Sequence, residues 1–130
     1  MMKNVKKRIT ALIKEAEQDK EIVAVGLFGS AARHENSDDS DIDISLFLRD
    51  RYYTPIEFSQ KKMEYLKLFD FDIKIFQQLP LYIRIRILKE MEILFCSDEN
   101  ELYEIAFRFI REFSDFEPIY RHYLREVASD

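Results

Sequence analysis

Residues 25–43 contain the stretch that decides the fold, and they read Val-Gly-Leu-Phe-Gly-Ser-Ala-Ala-Arg-His-Glu-Asn-Ser-Asp-Asp-Ser-Asp-Ile-Asp. The apolar residues before Gly29 end a short hydrophobic run, which is typical of a buried strand. Gly29 and Ser30 favour a turn into a short helix, because glycine tolerates unusual backbone angles and serine caps helices. Residues 36–40 have loop chemistry. The stretch therefore predicts strand, turn, short helix, loop and strand.

Asp41 and Asp43 alternate with apolar residues, so both are expected to project from one face of the second strand. Two such charges ~4 Å apart repel by about 4 kcal/mol at an effective dielectric constant of 20. If a third carboxylate joins them, the cluster should either take up protons or bind a cation. Mg²⁺ is often shared between one or two carboxylates and substrate phosphates. Gly29 lets a ligand approach the backbone, and Ser30 stands where the N–H groups of a helix start favour phosphate. Together these features predict a site for a metal ion and a nucleoside triphosphate.

The rest of the chain alternates between helical and strand patterns. The predicted helices cover residues 3–19, 56–68, 80–89 and 98–127, and the predicted strands cover residues 22–28, 41–48, 70–76 and 91–96. Pro118 predicts a kink or a break in the last helix. This order predicts an α/β (α+β) layered domain with a mixed sheet of about four strands flanked by helices. We expect a single domain over residues 1–130, with residues 98–127 as a C-terminal helical segment.

Composition argues against several classes of protein. The formal net charge is −5, whereas a free-standing nucleic-acid binder normally presents a basic surface. No apolar run approaches the ~20 residues that a membrane span needs, and no secretory pattern opens the chain. A single cysteine, Cys96, cannot form an intramolecular disulfide. We therefore expect a cytoplasmic protein that does not bind nucleic acid or membranes.

The spacing of Gly29, Ser30, Asp41 and Asp43 resembles the signature of the minimal nucleotidyltransferase (MNT) family, within the DNA polymerase β-like nucleotidyltransferase superfamily. The resemblance extends over about residues 5–96. It implies the nucleotidyltransferase fold and a third acid on a following strand.

Asp72 is the candidate for that third acid. Residues 70–76 alternate, and the pattern predicts that Asp70, Asp72 and Lys74 share one strand face. Asp70 is the fallback for the third acid. Lys74 neutralises an acid of the site, contacts phosphate, or forms a plain structural ion pair.

The resemblance also implies a mechanism. Its catalytic residues and ligands to two Mg²⁺ ions would be Asp41, Asp43 and Asp72, and its nucleotide-binding residues would be Gly29, Ser30 and Arg33. The donor implied is ATP, with AMP moved to a hydroxyl group. The family commonly has glycine after the arginine of its turn helix, whereas His34 follows Arg33 here.

The resemblance further implies a protein partner, a HEPN-domain toxin neutralised by an MNT antitoxin. The closing helix supports a partner, because a surface helix needs only one apolar stripe and this one has two. The first face carries Leu102, Ile105, Phe109, Phe113 and Phe116, and the second carries Tyr103, Phe107 and Ile110. The second face indicates a protein partner, self-association, or deep packing within the chain's own fold.

Two other functions stay open. One is a non-catalytic antitoxin that blocks its partner by binding alone. The other is transfer to a small molecule such as an aminoglycoside antibiotic, which usually needs a further helical substrate domain.

Overall fold

The structure is a computed structural model that describes residues 2–29 and 42–128, with side chains omitted at residues 2–4, 113, 115–121, 123, 124 and 126–128. The helices are α1 (Met2–Gln18), α2 (Pro55–Leu68), α3 (Leu81–Glu90) and α4 (Glu99–Ala128). The strands are β1 (Ile22–Phe28), β2 (Asp43–Leu48), β3 (Asp72–Ile75) and β4 (Glu92–Cys96). A short 3₁₀ turn covers Phe76–Gln78.

The four described strands form one mixed sheet in the order β3-β2-β1-β4. β1 pairs antiparallel with both β2 and β4, whereas β2 and β3 run parallel. The predicted mixed α+β architecture is therefore confirmed. The third strand is shorter than predicted, because the chain turns into the 3₁₀ segment directly after Ile75.

The sheet separates two apolar cores. Leu12 of α1 and Tyr65 of α2 pack with the even-numbered residues of β2, such as Ile44, on one face. Phe47 of β2 lies on the other face and packs with residues from α3 and α4, among them Ile87. Helices therefore cover both faces, and the alternation along β2 decides which side chains meet which pair of helices.

Helix α4 is anchored to the sheet by its first half. Its buried residues include Leu102, Ile105 and Phe109. The helix runs through Pro118 as one element from Glu99 to Ala128, so the alternative of two separate helices is wrong. Among the helices that the structure describes, none combines the length and the apolar character needed to cross a membrane.

Candidate active site

Asp43 and Asp72 lie at the same end of the sheet on neighbouring strands. They are register partners in the parallel pairing of β2 with β3, as are Ser45 and Lys74 two residues further along. Adjacent strands are about 4.8 Å apart, and residues two apart on a strand share a face. The four side chains therefore lie on one face of the sheet, the side covered by α3 and α4, and we call this the acid face.

Gly29 follows the end of β1 and touches the start of β2. Phe28 pairs with Asp43, and Gly29 has a φ angle of 76°. A Cβ atom added at Gly29 would overlap the Asp43 Oδ2 atom and lie 3.3 Å from its Cγ atom. Glycine is therefore required twice, by the left-handed backbone and by the nearness of the carboxylate. The predicted turn and one of the predicted acids are in direct contact.

Lys74 supplies a positive charge beside the acids. Its Nζ atom lies 3.6 Å from the Asp72 Oδ2 atom, and the two side chains are 37% and 48% exposed. A partly exposed ion pair of this kind is screened by solvent, so its contribution to stability is small. Lys74 therefore pairs with an acid, as expected for either neutralisation of the site or a plain structural ion pair.

Asp70 does not join the acid face, and the prediction that it shares a strand face with Asp72 is wrong. It precedes β3, and Arg8 Nη2 donates to its carbonyl oxygen at 2.8 Å. The same guanidinium lies 3.8 Å from Asp70 Oδ2 and 4.9 Å from the centre of the Phe71 ring. Arg8 belongs to α1, and Phe71 belongs to the core on the α1–α2 side. The Asp70 side chain is 91% exposed and lies beside Arg8 of α1, on the opposite side of the sheet from Asp72.

Ser30, Arg33, His34 and Asp41 lie outside the described residues. Within residues 2–29 and 42–128, no three His, Cys, Asp or Glu side chains are grouped closely enough to hold a metal ion. The described part of the predicted metal site thus consists of Asp43 and Asp72. Two carboxylates that share a face beside a glycine cradle do fit Mg²⁺, which takes oxygen ligands and leaves positions for water and phosphate.

Comparison with known proteins identifies the family of this chain. Residues 10–100 match the family described as "Polymerase beta, Nucleotidyltransferase". The chain belongs to this family. It is also 38% identical over 96 residues to a candidate protein adenylyltransferase of Methanocaldococcus jannaschii, over 74% of this chain and 73% of that protein.

Solved structures share the fold of this nucleotidyltransferase at low sequence identity. One is a toxin–antitoxin complex with AMP-PNP, with a TM-score of 0.68 and 14% identity over 94% of this chain and 97% of that one. Another contains an MNT antitoxin with a tri-AMPylated HEPN toxin of Shewanella oneidensis, with a TM-score of 0.66 and 15% identity over 98% and 99% of the two chains. The predicted nucleotidyltransferase fold is confirmed, and so is the predicted membership of the polymerase β-like nucleotidyltransferases.

Ser45 is a further polar residue of the nucleotidyltransferase's acid face. It is completely buried, and its Oγ atom has no hydrogen-bond partner among the residues described. It pairs with Gly26 on β1 and Lys74 on β3. The alternation along β2 placed Ser45 beside Asp43, but nothing in the sequence distinguished it from an exposed serine. On this face of β2, the Ser45 hydroxyl group is a hydrogen-bond donor that lies between Asp43 and the buried Phe47 of the apolar core.

A large groove in the described part of the nucleotidyltransferase lies away from the acids. It has a volume of about 870 Å³ and follows α2, with Ile56, Met63 and Lys67 among its lining residues. Because α2 packs on the α1–α2 side of the sheet, this groove is not part of the acid face. The acids of the candidate active site therefore lie outside this groove.

Proposed function

We propose that this nucleotidyltransferase transfers AMP from ATP to a hydroxyl group on a HEPN-domain protein partner, and that the chain acts as one minimal domain. The alignment of Asp43 with Asp72 beside Gly29 is the observation that carries the proposal. It puts two carboxylates and a Cβ-free turn at one end of the sheet. This is the surface that a magnesium-bound triphosphate requires.

The acids of the proposed site would hold the metal ions. Asp43 and Asp72, together with Asp41, are assigned as ligands to two Mg²⁺ ions. When bound, the metals supply electrostatic stabilisation of the attacking and leaving oxygens in an in-line displacement. Asp72 also helps to activate the acceptor hydroxyl. The acceptor hydroxyl gives up its proton to the Asp72 carboxylate and its oxygen bonds to the α-phosphorus. The bond from the α-phosphorus to the oxygen shared with the β-phosphate breaks, and pyrophosphate leaves.

The turn after β1 is assigned to the phosphates. Gly29 presents backbone without a side chain, so phosphate oxygens can approach its N–H group. Ser30 and Arg33 complete the proposed phosphate site with a hydroxyl and a guanidinium, which are effective donors to phosphate oxygens. These three residues hold the β- and γ-phosphates and so orient the α-phosphorus toward the acceptor.

The surface of α4 supports a protein acceptor. Its second apolar face keeps Tyr103 60% exposed, Phe107 63% exposed and Ile110 44% exposed, whereas Leu102 and Phe109 are buried. The three exposed residues follow helical spacing, so they form one stripe, which we call the outer stripe of α4. An exposed aromatic stripe of this kind is typical of an interaction surface. The MNT–HEPN complexes that share the fold motivate the choice of partner.

Transfer is tested by mixing the chain with the HEPN-domain protein and ATP labelled at the α-phosphate. We expect the label on the partner, with a mass gain of one or more AMP units by intact mass spectrometry. Asp43→Asn and Asp72→Asn should abolish labelling, while Asp70→Asn should retain it, because Asp70 is held beside Arg8. Complex formation without any mass gain would instead indicate a non-catalytic antitoxin. Undiminished labelling by both variants would overturn the site.

A further inference from the structure

A second cavity lies at the end of the sheet opposite the acids. Its volume is about 250 Å³. It is formed by the connection that follows β2, the 3₁₀ turn, α3 and α4, and its lining includes Arg49, Tyr53, Phe76, Arg84 and Phe109. Since β2 begins at Asp43 and ends at Leu48, about 16 Å of strand separates the two ends. The cavity is therefore distinct from the candidate active site.

Arg84 is the unusual residue of this cavity. Its guanidinium lies 4.7 Å from the centre of the Phe109 ring, and its buried Nε atom has no hydrogen-bond partner. Burial lowers the pKa of Arg84, and the negative charge of Glu112 opposes that shift. Arg84 is partly buried, and a buried N–H donor without an acceptor is unfavourable.

The other arginines that line the cavity already have partners. Arg49 Nη1 donates to Glu101 Oε1 at 3.0 Å, and Arg51 Nη2 donates to Glu21 Oε2 at 3.0 Å. Arg108 forms a bidentate ion pair with Asp50, in which Nη1 donates to Oδ1 at 2.6 Å and Nη2 donates to Oδ2 at 2.9 Å. In the described part of the chain, Arg84 is thus the cavity-lining arginine for which no hydrogen-bonded carboxylate is found.

We propose that this cavity binds a small organic monocarboxylate, with Arg84 as the residue that pairs with its carboxyl group. A carboxylate in the cavity would pair with the guanidinium, which has no hydrogen-bonded carboxylate among the described residues. Asp50 and Glu112 also line the cavity, so a singly charged ligand is favoured over doubly charged phosphate. The walls include Phe58 and Phe76, which suit an apolar body attached to the carboxyl group. The volume is just below the usual range for small-molecule sites, so the ligand is small.

Carboxylate binding at this cavity is independent of the proposed transfer reaction. The probe is benzoate, titrated into the ¹⁵N-labelled full chain at neutral pH and followed by amide chemical shifts. We expect saturable shifts in residues 49–53 and in α3. Arg84→Gln should weaken binding at least about tenfold, because hydrogen bonds to charged groups are strong. Arg86→Gln is the matched control, since Arg86 is exposed on the same helix and pairs with Glu90 at 4.0 Å.

Two further measurements test whether the Arg84 guanidinium recognises the carboxylate. Benzamide, the neutral analogue, should bind at least about tenfold more weakly than benzoate if the charge of Arg84 is recognised. If Arg84→Gln does not fold, Arg84→Lys retains the charge without the planar donor group, and weaker benzoate binding is again expected. The inference is overturned if benzoate gives no saturable shifts, if Arg84→Gln binds it as the wild type does, or if inorganic phosphate binds more tightly than benzoate.

Discussion

Gly29 and Asp43 are in such close contact that a Cβ atom on the first would overlap a carboxylate oxygen of the second. Gly29→Ala is therefore expected to displace the Asp43 carboxylate and to strain a backbone with φ of 76°. The backbone strain alone should cost about 1–2 kcal/mol of stability. We expect AMP transfer to fall much further than stability, measured with labelled ATP and by chemical denaturation.

Gly26→Ala is the matched control. A Cβ at Gly26 would lie 2.9 Å from the Met91 sulfur, which is near the end of a flexible side chain. The variant should lose some stability by crowding but retain transfer. Equal loss of transfer in the Gly26 and Gly29 variants would show that the contact with Asp43 has no special role.

Lys74 should weaken metal binding in the absence of nucleotide. Its Nζ atom lies 3.6 Å from Asp72 Oδ2, so it competes with a divalent ion for the same carboxylate. Lys74→Met is expected to tighten Mn²⁺ binding several-fold, because one like charge is removed from beside the metal. Mn²⁺ titration followed by electron paramagnetic resonance measures the change. Lys67→Met, on the opposite side of the sheet, should leave the affinity unaltered, and a tighter site in that variant would argue for a general charge effect.

Phe107 and Phe109 provide a test of the two faces of α4. Phe109 is 2% exposed and contacts the Phe76 ring edge-on at 5.8 Å, so Phe109→Ala should cost about 3–5 kcal/mol of unfolding free energy. Phe107 is 63% exposed, and Phe107→Ala should change stability by about 0.5 kcal/mol or less. Phe107→Ala should leave the chain folded but weaken its binding to the proposed HEPN-domain partner, and calorimetry measures that affinity. Phe109→Ala should not weaken binding as long as the variant is folded. Normal binding by Phe107→Ala would remove the outer stripe of α4 from the interface.

Asp19 should make stability depend on acid pH. Burial raises the pKa of its carboxyl group, but hydrogen bonds from Lys61, the Glu21 N–H group and Tyr65 outweigh burial and lower it overall. Because the folded-state pKa is the lower one, the stabilisation is present above the unfolded-state pKa of roughly 3.9 and is lost as pH falls through the folded-state value.

Asp19→Asn should therefore lose about 1–3 kcal/mol of unfolding free energy at neutral pH and show a shallower decline below roughly pH 4. Denaturant titrations at several pH values measure both effects. Glu17→Gln, at an exposed acid of α1, serves as the control. Parallel pH profiles for wild type and Asp19→Asn would contradict the role of Asp19.

Alternation predicted β2 and β3 and the faces of the side chains within them, whereas a continuous apolar run predicted β1. Asp43 and Ser45 could be assigned to one face of β2 because residues two apart on a strand point the same way. That Asp72 lies beside Asp43 could not be deduced from alternation, since it depends on a parallel pairing between strands more than twenty residues apart. The prediction that Asp72 completes the site came from the family resemblance.

Long-range contacts explain where sequence patterns failed. Alternation over residues 70–76 put Asp70 on the face of Asp72, but Arg8, distant in sequence, holds it elsewhere. Asp98 and Glu101 have capping-box spacing, and the Glu101 N–H group does donate to Asp98 at 3.1 Å. The Glu101 carboxylate instead binds Arg49 and the N–H group of Asp50. A local rule cannot anticipate a competing partner from another part of the chain.

The most direct test of the proposed site is Mn²⁺ binding by the full chain in the presence of a non-hydrolysable ATP analogue, measured by electron paramagnetic resonance. We predict that Asp43→Asn and Asp72→Asn each weaken binding by about tenfold or more, because each removes a charged oxygen ligand. Asp70→Asn should match the wild type, and circular dichroism should show that all three variants are folded. Wild-type affinity in a folded Asp72→Asn variant would contradict the shared metal site.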